Sequence, residues 1–222
     1  MVLPRLYAIL DAGCFHGANA MFTAAEELAA AGCTLIQYRN KSANARMMLE
    51  QAWELRKRFG LDSHPSGDAP RLADVARRGN SIRLIMNDRA DLCMAADFDG
   101  VHLGQDDLSP ESVRRLIGPD RWLGVSTHNP EQLREADLTS ADYLAIGPVF
   151  ATSSKQNPDP VVGLEGVRRA RALTRKPLVA IGGITRANAA SVIEAGANSV
   201  AVISDLLSDS CKSAEEFFRI LR

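Results

Sequence analysis

The sequence predicts an α/β protein built as a single (β/α)8 (TIM) barrel over residues 1–222. Three observations carry that expectation. Short apolar runs of strand length alternate with amphipathic runs of helix length from end to end. The alternation repeats eight times, and no linker-like change of composition divides the chain. Strict βα alternation favours a parallel sheet, and eight units in 222 residues favour its closure into a barrel. A doubly wound open sheet is the alternative that shares this element order.

The strand candidates, in order, are LYAILD (6–11), TLIQYR (34–39), RLIMND (83–88) and GVHLG (100–104). WLGVST (122–127), YLAIGPVF (143–150), PLVAIGG (177–183) and SVAVIS (199–204) follow. Helical patterns fill most gaps, among them TAAEELAAAG (23–32), SPESVRRLIG (109–118) and RANAASVIEAG (186–196). The last two carry entry signals, Ser109-Pro110 and Thr185, and closing glycines, Gly118 and Gly196. Residues 60–81 break the pattern, with two prolines and three glycines around a short helix candidate at 71–78. They read as a long irregular connection without identifiable chemistry.

An apolar fraction of 46% with 24% charged residues is that of a soluble globular protein. Net charge is −1 with a pI near 6.4, so no global field points to nucleic acid, and any anion site must be local. Cys14, Cys33, Cys93 and Cys211 form no CxxC pair and read as reduced thiols rather than a zinc site. Arg5 and Asp11 interrupt the apolar start, and no apolar run reaches the roughly 20 residues of a membrane span. A cytoplasmic protein is expected, with no membrane partner, and with a homo-oligomer left open.

In a barrel of this class, chemistry collects where strands end and loops begin. Leu35, Gln37, Arg39 and Lys41 alternate along strand two and so share a face, placing an amide and two cations together. Such a trio needs either a solvent-exposed edge, which a barrel lacks, or an anionic ligand. Strand three ends in Asn87-Asp88, strand four in Gly104-Gln105-Asp106-Asp107, strand five in Ser126-Thr127-His128 and strand six in Thr152-Ser153-Ser154-Lys155. Strand seven ends in Gly182-Gly183 and strand eight in Ile203-Ser204. In AIGGI (180–184), bare backbone N–H groups can approach an anion, beside a helix that Thr185 would cap. Asp88 and Asp107 close adjacent strands and offer the hard oxygens that Mg²⁺ prefers. Equally, Asp88 could cap the next helix and Asp107 could pair with an arginine, and spacing does not separate Asp106 from Asp107. His102 reads as a satisfied core histidine and His128 as the start of a loop. No GxSxG elbow accompanies the serines, which argues against a hydrolase triad.

The segments QYRNK, MNDRADLCMAADFDGVHLGQDDL, LGVSTH, YLAIGPVFATSSK, VAIGGIT and AVIS resemble, in content and order, those of the thiamine-phosphate synthase family. The resemblance covers about residues 6 to 207 apart from 60–81. It implies a Mg²⁺-dependent transferase that joins 4-amino-2-methyl-5-hydroxymethylpyrimidine diphosphate to 4-methyl-5-(2-phosphoethyl)thiazole. The products would be thiamine phosphate and pyrophosphate. By position, Gln37, Arg39, Lys41, Asn87, Ser126 and Lys155 match the pyrimidine-diphosphate contacts. Of these, Arg39, Lys41, Ser126 and Lys155 are the expected catalytic set. Asp88 and Asp107 match the metal carboxylates, which resolves the Asp106/Asp107 ambiguity. Thr152, Ser153, Ser154, Gly183, Ile203 and Ser204 match the thiazole-phosphate side.

Two departures stand out. Asn40 replaces a frequent Glu at a position facing away from Arg39, and Ser154 replaces a Thr while keeping its hydroxyl. Loss of diphosphate through a loose, carbocation-like transition state needs placement and charge stabilisation more than a protein nucleophile. A thiazole tautomerase of the same fold would want a histidine where Pro148 stands, and a phosphate sensor would not need two carboxylates.

Overall fold

The computed structural model describes residues 1–61, 82–152 and 159–222. In chain order its regular elements begin with β1 (Leu6–Asp11), α1 (Ala18–Ala30), β2 (Leu35–Arg39) and α2 (Ala45–Arg58). Next come β3 (Arg83–Asn87), α3 (Ala90–Ala95), β4 (Gly100–Leu103) and α4 (Pro110–Ile117). They are followed by β5 (Trp122–Thr127), α5 (Pro130–Asp137), β6 (Tyr143–Ile146) and α6 (Gly163–Leu173). The last are β7 (Leu178–Ile181), α7 (Ala189–Glu194), β8 (Ser199–Val202) and α8 (Ser210–Ile220). All eight strands are parallel and hydrogen-bonded in sequence order, and β1 pairs with β8, so the barrel is closed. The (β/α)8 fold is as expected, and the open sheet is excluded.

The alternation of side chains along each strand builds two layers of core. Leu6, Ala8 and Leu10 of β1, Ile36 of β2, Leu84 and Met86 of β3 and Val101 of β4 point outward. They pack under Met21, Leu28, Leu55, Phe217 and other helix residues. Tyr7, Ile9, Leu35, Ile85, Tyr143, Ala145, Val179 and Ala201 point inward and fill the barrel axis. Almost every member of both layers is sealed from water. At about 25 cal/mol per Å² of apolar surface, this double burial is the main stabilising term.

Local signals set the helix starts. Asn44, Ser109, Asn129 and Asp209 accept backbone N–H groups at the first turns of α2, α4, α5 and α8, with Pro110 and Pro130 opening two of them. α1 begins five residues before the expected 23–32, because Ala18-Asn19-Ala20-Met21 continue a helix-forming run upstream. β6 stops at Ile146 rather than Phe150. Pro148 has no N–H for the ladder, and the Gly147–Pro148 peptide is cis. The chain still runs beside β7 there, with the Val149 and Phe150 amides donating to Ile181 and Gly182. That is why an apolar stretch reads on past the strand. The helix candidate at 71–78, most of the 60–81 connection, and Ser153, Ser154 and Lys155 lie outside the described residues.

Candidate active site

Register brings the first charges together. Asp11, the last residue of β1, stands opposite Arg39, the last of β2. Their side chains form an ion pair, and Asp11 also accepts the Gly13 N–H at 3.1 Å. Asp11 is nearly buried and Arg39 is partly so, so the guanidinium is fixed at the rim rather than swinging in solvent.

Lys41 lies beyond the end of β2, so strict strand alternation does not extend to it. It nonetheless returns to the same rim, where its ammonium pairs with Asp88. Lys41 is more than half exposed, at 57%, against 17% for Asp88, so this pair exchanges far more readily than the first. Asp88 adopts φ +60° immediately after β3, with its N–H donating to the His102 carbonyl at 2.8 Å. A left-handed aspartate is tolerated but uncommon, and such residues cluster at functional sites.

Asp107 joins this pair from the loop after β4. Its carboxylate accepts the Gly104 N–H at 2.7 Å. Partial burial and the nearby Asp88 carboxylate raise its pKa, with the Gly104 N–H and Lys41 opposing. Two carboxylates whose mutual repulsion is felt, with an ammonium lying against one of them, form a place that favours positive charge. Among the described residues no group of three or more His, Cys, Asp or Glu side chains gathers into an all-protein cage. A Mg²⁺ ion suits such a pair, since it commonly takes one or two carboxylates and completes its shell with water and phosphate oxygens. Neither alternative for the aspartates holds. Arg89, not Asp88, occupies the α3 cap position, and Asp107 bonds a backbone N–H rather than an arginine.

Gln37 separates from its two cations. It is buried in the barrel and donates to the Tyr7 hydroxyl at 2.8 Å. Tyr7 meets Tyr143 at 3.1 Å, Tyr143 meets His102 Nδ1 at 3.1 Å, and His102 Nε2 meets Ser126 Oγ at 2.8 Å. One hydrogen-bonded chain therefore crosses five strands beneath the rim. Burial lowers the His102 pKa to about 4, with Asp88 opposing, so the ring is neutral near pH 7. Burial likewise holds the two tyrosines above their usual range. Gly124 makes room for this row. A Cβ there would lie 2.1 Å from the Tyr143 ring and 2.5 Å from His102 Nδ1. Asn87, opposite His102 in register, is buried next to the row.

On the far rim, Gly182 and Gly183 have φ of +98° and +63°. A Cβ on Gly183 would meet the Ala151 carbonyl oxygen at 2.5 Å, so the β7 loop presses against the chain after β6. The expected helix end is not beside it. α7 starts at Ala189 without a side-chain cap, and the Thr185 N–H is itself bonded to Asn188 at 2.8 Å. What the loop offers an anion is therefore glycine backbone. Ile203 and Ser204 open a 3₁₀ turn directly after β8, and Thr152 is half-buried after β6. Among the described residues, the Gly183 and Ser204 amides donate to no other group of the chain.

His128 is more than a loop start. Its Nδ1 lies 2.6 Å from the Gly147 carbonyl and 3.5 Å from the Asp159 carboxylate. Asn40 turns away from Arg39, as expected, and orders the β2–α2 loop by accepting the Ser42 and Ala43 N–H groups. Sequence reasoning missed Asp11, Tyr7, Tyr143 and Gln105. Asp11 ends a strand in phase with Ile9, a signal that was legible. The tyrosines read only as core, and Gln105 is identified only by its bond to the Ser126 carbonyl.

A closed (β/α)8 barrel with paired cations, adjacent carboxylates and a glycine loop at its carboxyl rim is an enzyme scaffold of the kind that handles phosphorylated small molecules. The chain belongs to the thiamine monophosphate synthase family, whose profile matches residues 67–206, and it is a transferase. It is 54% identical over 222 residues to a thiamine-phosphate synthase of Koribacter versatilis, covering 99% of this chain and 96% of that one. A thiamine-phosphate synthase of Chloroflexus aurantiacus is 41% identical over 218 residues, with 98% and 92% covered. A thiamine phosphate pyrophosphorylase structure from Pyrococcus furiosus superposes with a TM-score of 0.78 at 32% identity, covering 98% and 95%.

Proposed function

We propose that the protein couples 4-amino-2-methyl-5-hydroxymethylpyrimidine diphosphate to 4-methyl-5-(2-phosphoethyl)thiazole, giving thiamine phosphate and pyrophosphate. The observation that carries this reading is the pairing of Arg39 with Asp11 and of Lys41 with Asp88, with Asp107 alongside. Such a rim suits a diphosphate that gains charge as it departs.

On this reading Arg39 grips the diphosphate as a fork and Lys41 adds a compact charge. Asp88 and Asp107 would hold Mg²⁺, which supplies further neutralisation of the diphosphate when bound. Lys155 is assigned to the same group by the resemblance. Gln37, Asn87 and Ser126 present donors and acceptors to the aminopyrimidine from the polar row and its neighbour. The ring releases diphosphate through a loose, carbocation-like transition state, and the thiazole nitrogen attacks the exposed methylene carbon. Thr152, Ser153, Ser154, Gly183, Ile203 and Ser204 hold the thiazole phosphate so that this nitrogen faces the carbon. Among the described residues Ser126 Oγ meets no base other than the His102 ring, and on this reading positioning and charge supply the acceleration.

A cytoplasmic setting is part of the proposal. It is supported by four free cysteines and, among the described residues, by no helix long and apolar enough to cross a membrane. The test is incubation of the purified protein with both substrates and Mg²⁺. Pyrophosphate and thiamine phosphate should appear in equal amounts. Binding of the thiazole phosphate with no product would overturn the coupling reaction.

A further inference from the structure

Arg186 sits three residues beyond Gly183, outside the strand ends themselves. Its backbone N–H donates to Asp205 Oδ2 at 2.8 Å and its Nε reaches the same oxygen at 3.1 Å. One terminal nitrogen reaches Asp205 Oδ1 at 3.3 Å, and the other reaches Glu216 of α8 at 2.5 Å. Asp205 directly follows Ser204 in the 3₁₀ turn after β8. A single fork thus ties the loop that carries Gly183 to the loop that carries Ser204, and α8 holds it from behind.

This arginine is itself no anion binder. All three guanidinium nitrogens are committed, and one cation faces two carboxylates, so the cluster is net negative. Any influence on a phosphate must pass through the loops it joins. Those loops offer the Gly183 and Ser204 amides, and the two amides serve one phosphate only if their spacing is fixed. We propose that Arg186 and Asp205 form a clamp that sets this spacing, making Arg186 a positioning residue for the phosphate of the thiazole substrate. The inference rests on the functional reading above for the identity of that substrate.

The experiment compares wild type with Arg186→Ala, Asp205→Asn and the double variant. Arg186→Ala should raise the KM for the thiazole phosphate on the order of 10-fold, with kcat and the KM for the pyrimidine diphosphate changed by less than about twofold. Arg186→Lys should recover little, because an ammonium cannot span both carboxylate oxygens. The double variant should be no worse than Arg186→Ala, since the two residues act as one unit. A merely structural role would move both KM values together, or make the effects multiply, and either result overturns the clamp. Asp205→Asn keeps one acceptor and should give a smaller KM rise if Arg186→Ala does not fold; no rise in that variant also overturns the clamp. Calorimetry with inorganic phosphate separates the two readings. Weaker binding to Arg186→Ala supports the clamp even if wild type makes no thiamine phosphate. Equal binding by a wild type that does turn over sinks the clamp alone.

Discussion

Arg39 meets its carboxylate before any ligand arrives, and this prepayment of order shapes what its loss should do. Asp11 is shielded from water, so Arg39→Ala leaves a nearly buried charge without its partner as well as removing a fork from the rim. On the proposed reading turnover should fall on the order of 10²-fold or more, because the contact strengthens as diphosphate leaves. Steady-state assay of pyrophosphate release checks this, and near-normal turnover would remove Arg39 from the chemistry. Asp88 presents the opposite case, an exchangeable partner for an exposed lysine. Asp88→Asn should raise the Mg²⁺ concentration needed for half-maximal activity several-fold. An unchanged metal titration would take that residue out of the metal site.

At the level of elements, the strands were largely readable and their ends less so. LYAILD and WLGVST run from first to last residue as β1 and β5. The other six begin within one residue of expectation, because buried apolar runs start sharply. Ends blur where the chain stays apolar and paired after its ladder stops, as at buried Val149 and half-buried Phe150. Alternation alone puts Gln37 and Arg39 on one face, but it does not tell their depth: Arg39 reaches the rim and Gln37 stays buried beneath it. Lys41 returned to the rim through Asp88, a long-range contact that spacing does not encode. The tyrosine row was illegible for a similar reason: each hydroxyl finds its partner on a different strand. Gly183→Ala tests the β7 loop as a unit. It forces a side chain into φ +63° and against the Ala151 carbonyl, so it should cost about 1–3 kcal/mol of stability and weaken phosphate binding. Urea unfolding and phosphate calorimetry measure the two effects separately. A variant unaltered in both would mean that the loop relaxes freely.

Across the whole molecule, the interior row makes stability depend on pH. His102 titrates near 6.5 when unfolded and at about 4 when folded, because burial disfavours the imidazolium. The unfolded chain therefore binds the extra proton first. The stability this confers is fully present above about pH 6.5 and is lost as pH falls toward about 4. The loss should be on the order of 1 kcal/mol per pH unit within that window. His102→Gln, which keeps a polar group in the row but cannot titrate, should flatten this limb in urea melts at several pH values. Asp107, raised in the fold, contributes with the opposite sign, but equally to both proteins, so the difference reports His102. Parallel slopes would show that the folded imidazole takes up its proton as readily as the unfolded one, and that burial does not depress it.

The same row has a direction. Gln37 gives a hydrogen to the Tyr7 oxygen, so the sealed Tyr7 hydroxyl must pass its own hydrogen to Tyr143, and Tyr143 must pass one to His102 Nδ1. The imidazole is then left with hydrogen on Nε2, aimed at Ser126. Ser126 already receives, so its hydroxyl hydrogen is free to turn toward the barrel mouth. A glutamine on one side of the cavity thereby sets the hydrogen-bonding polarity that an incoming molecule meets on the other.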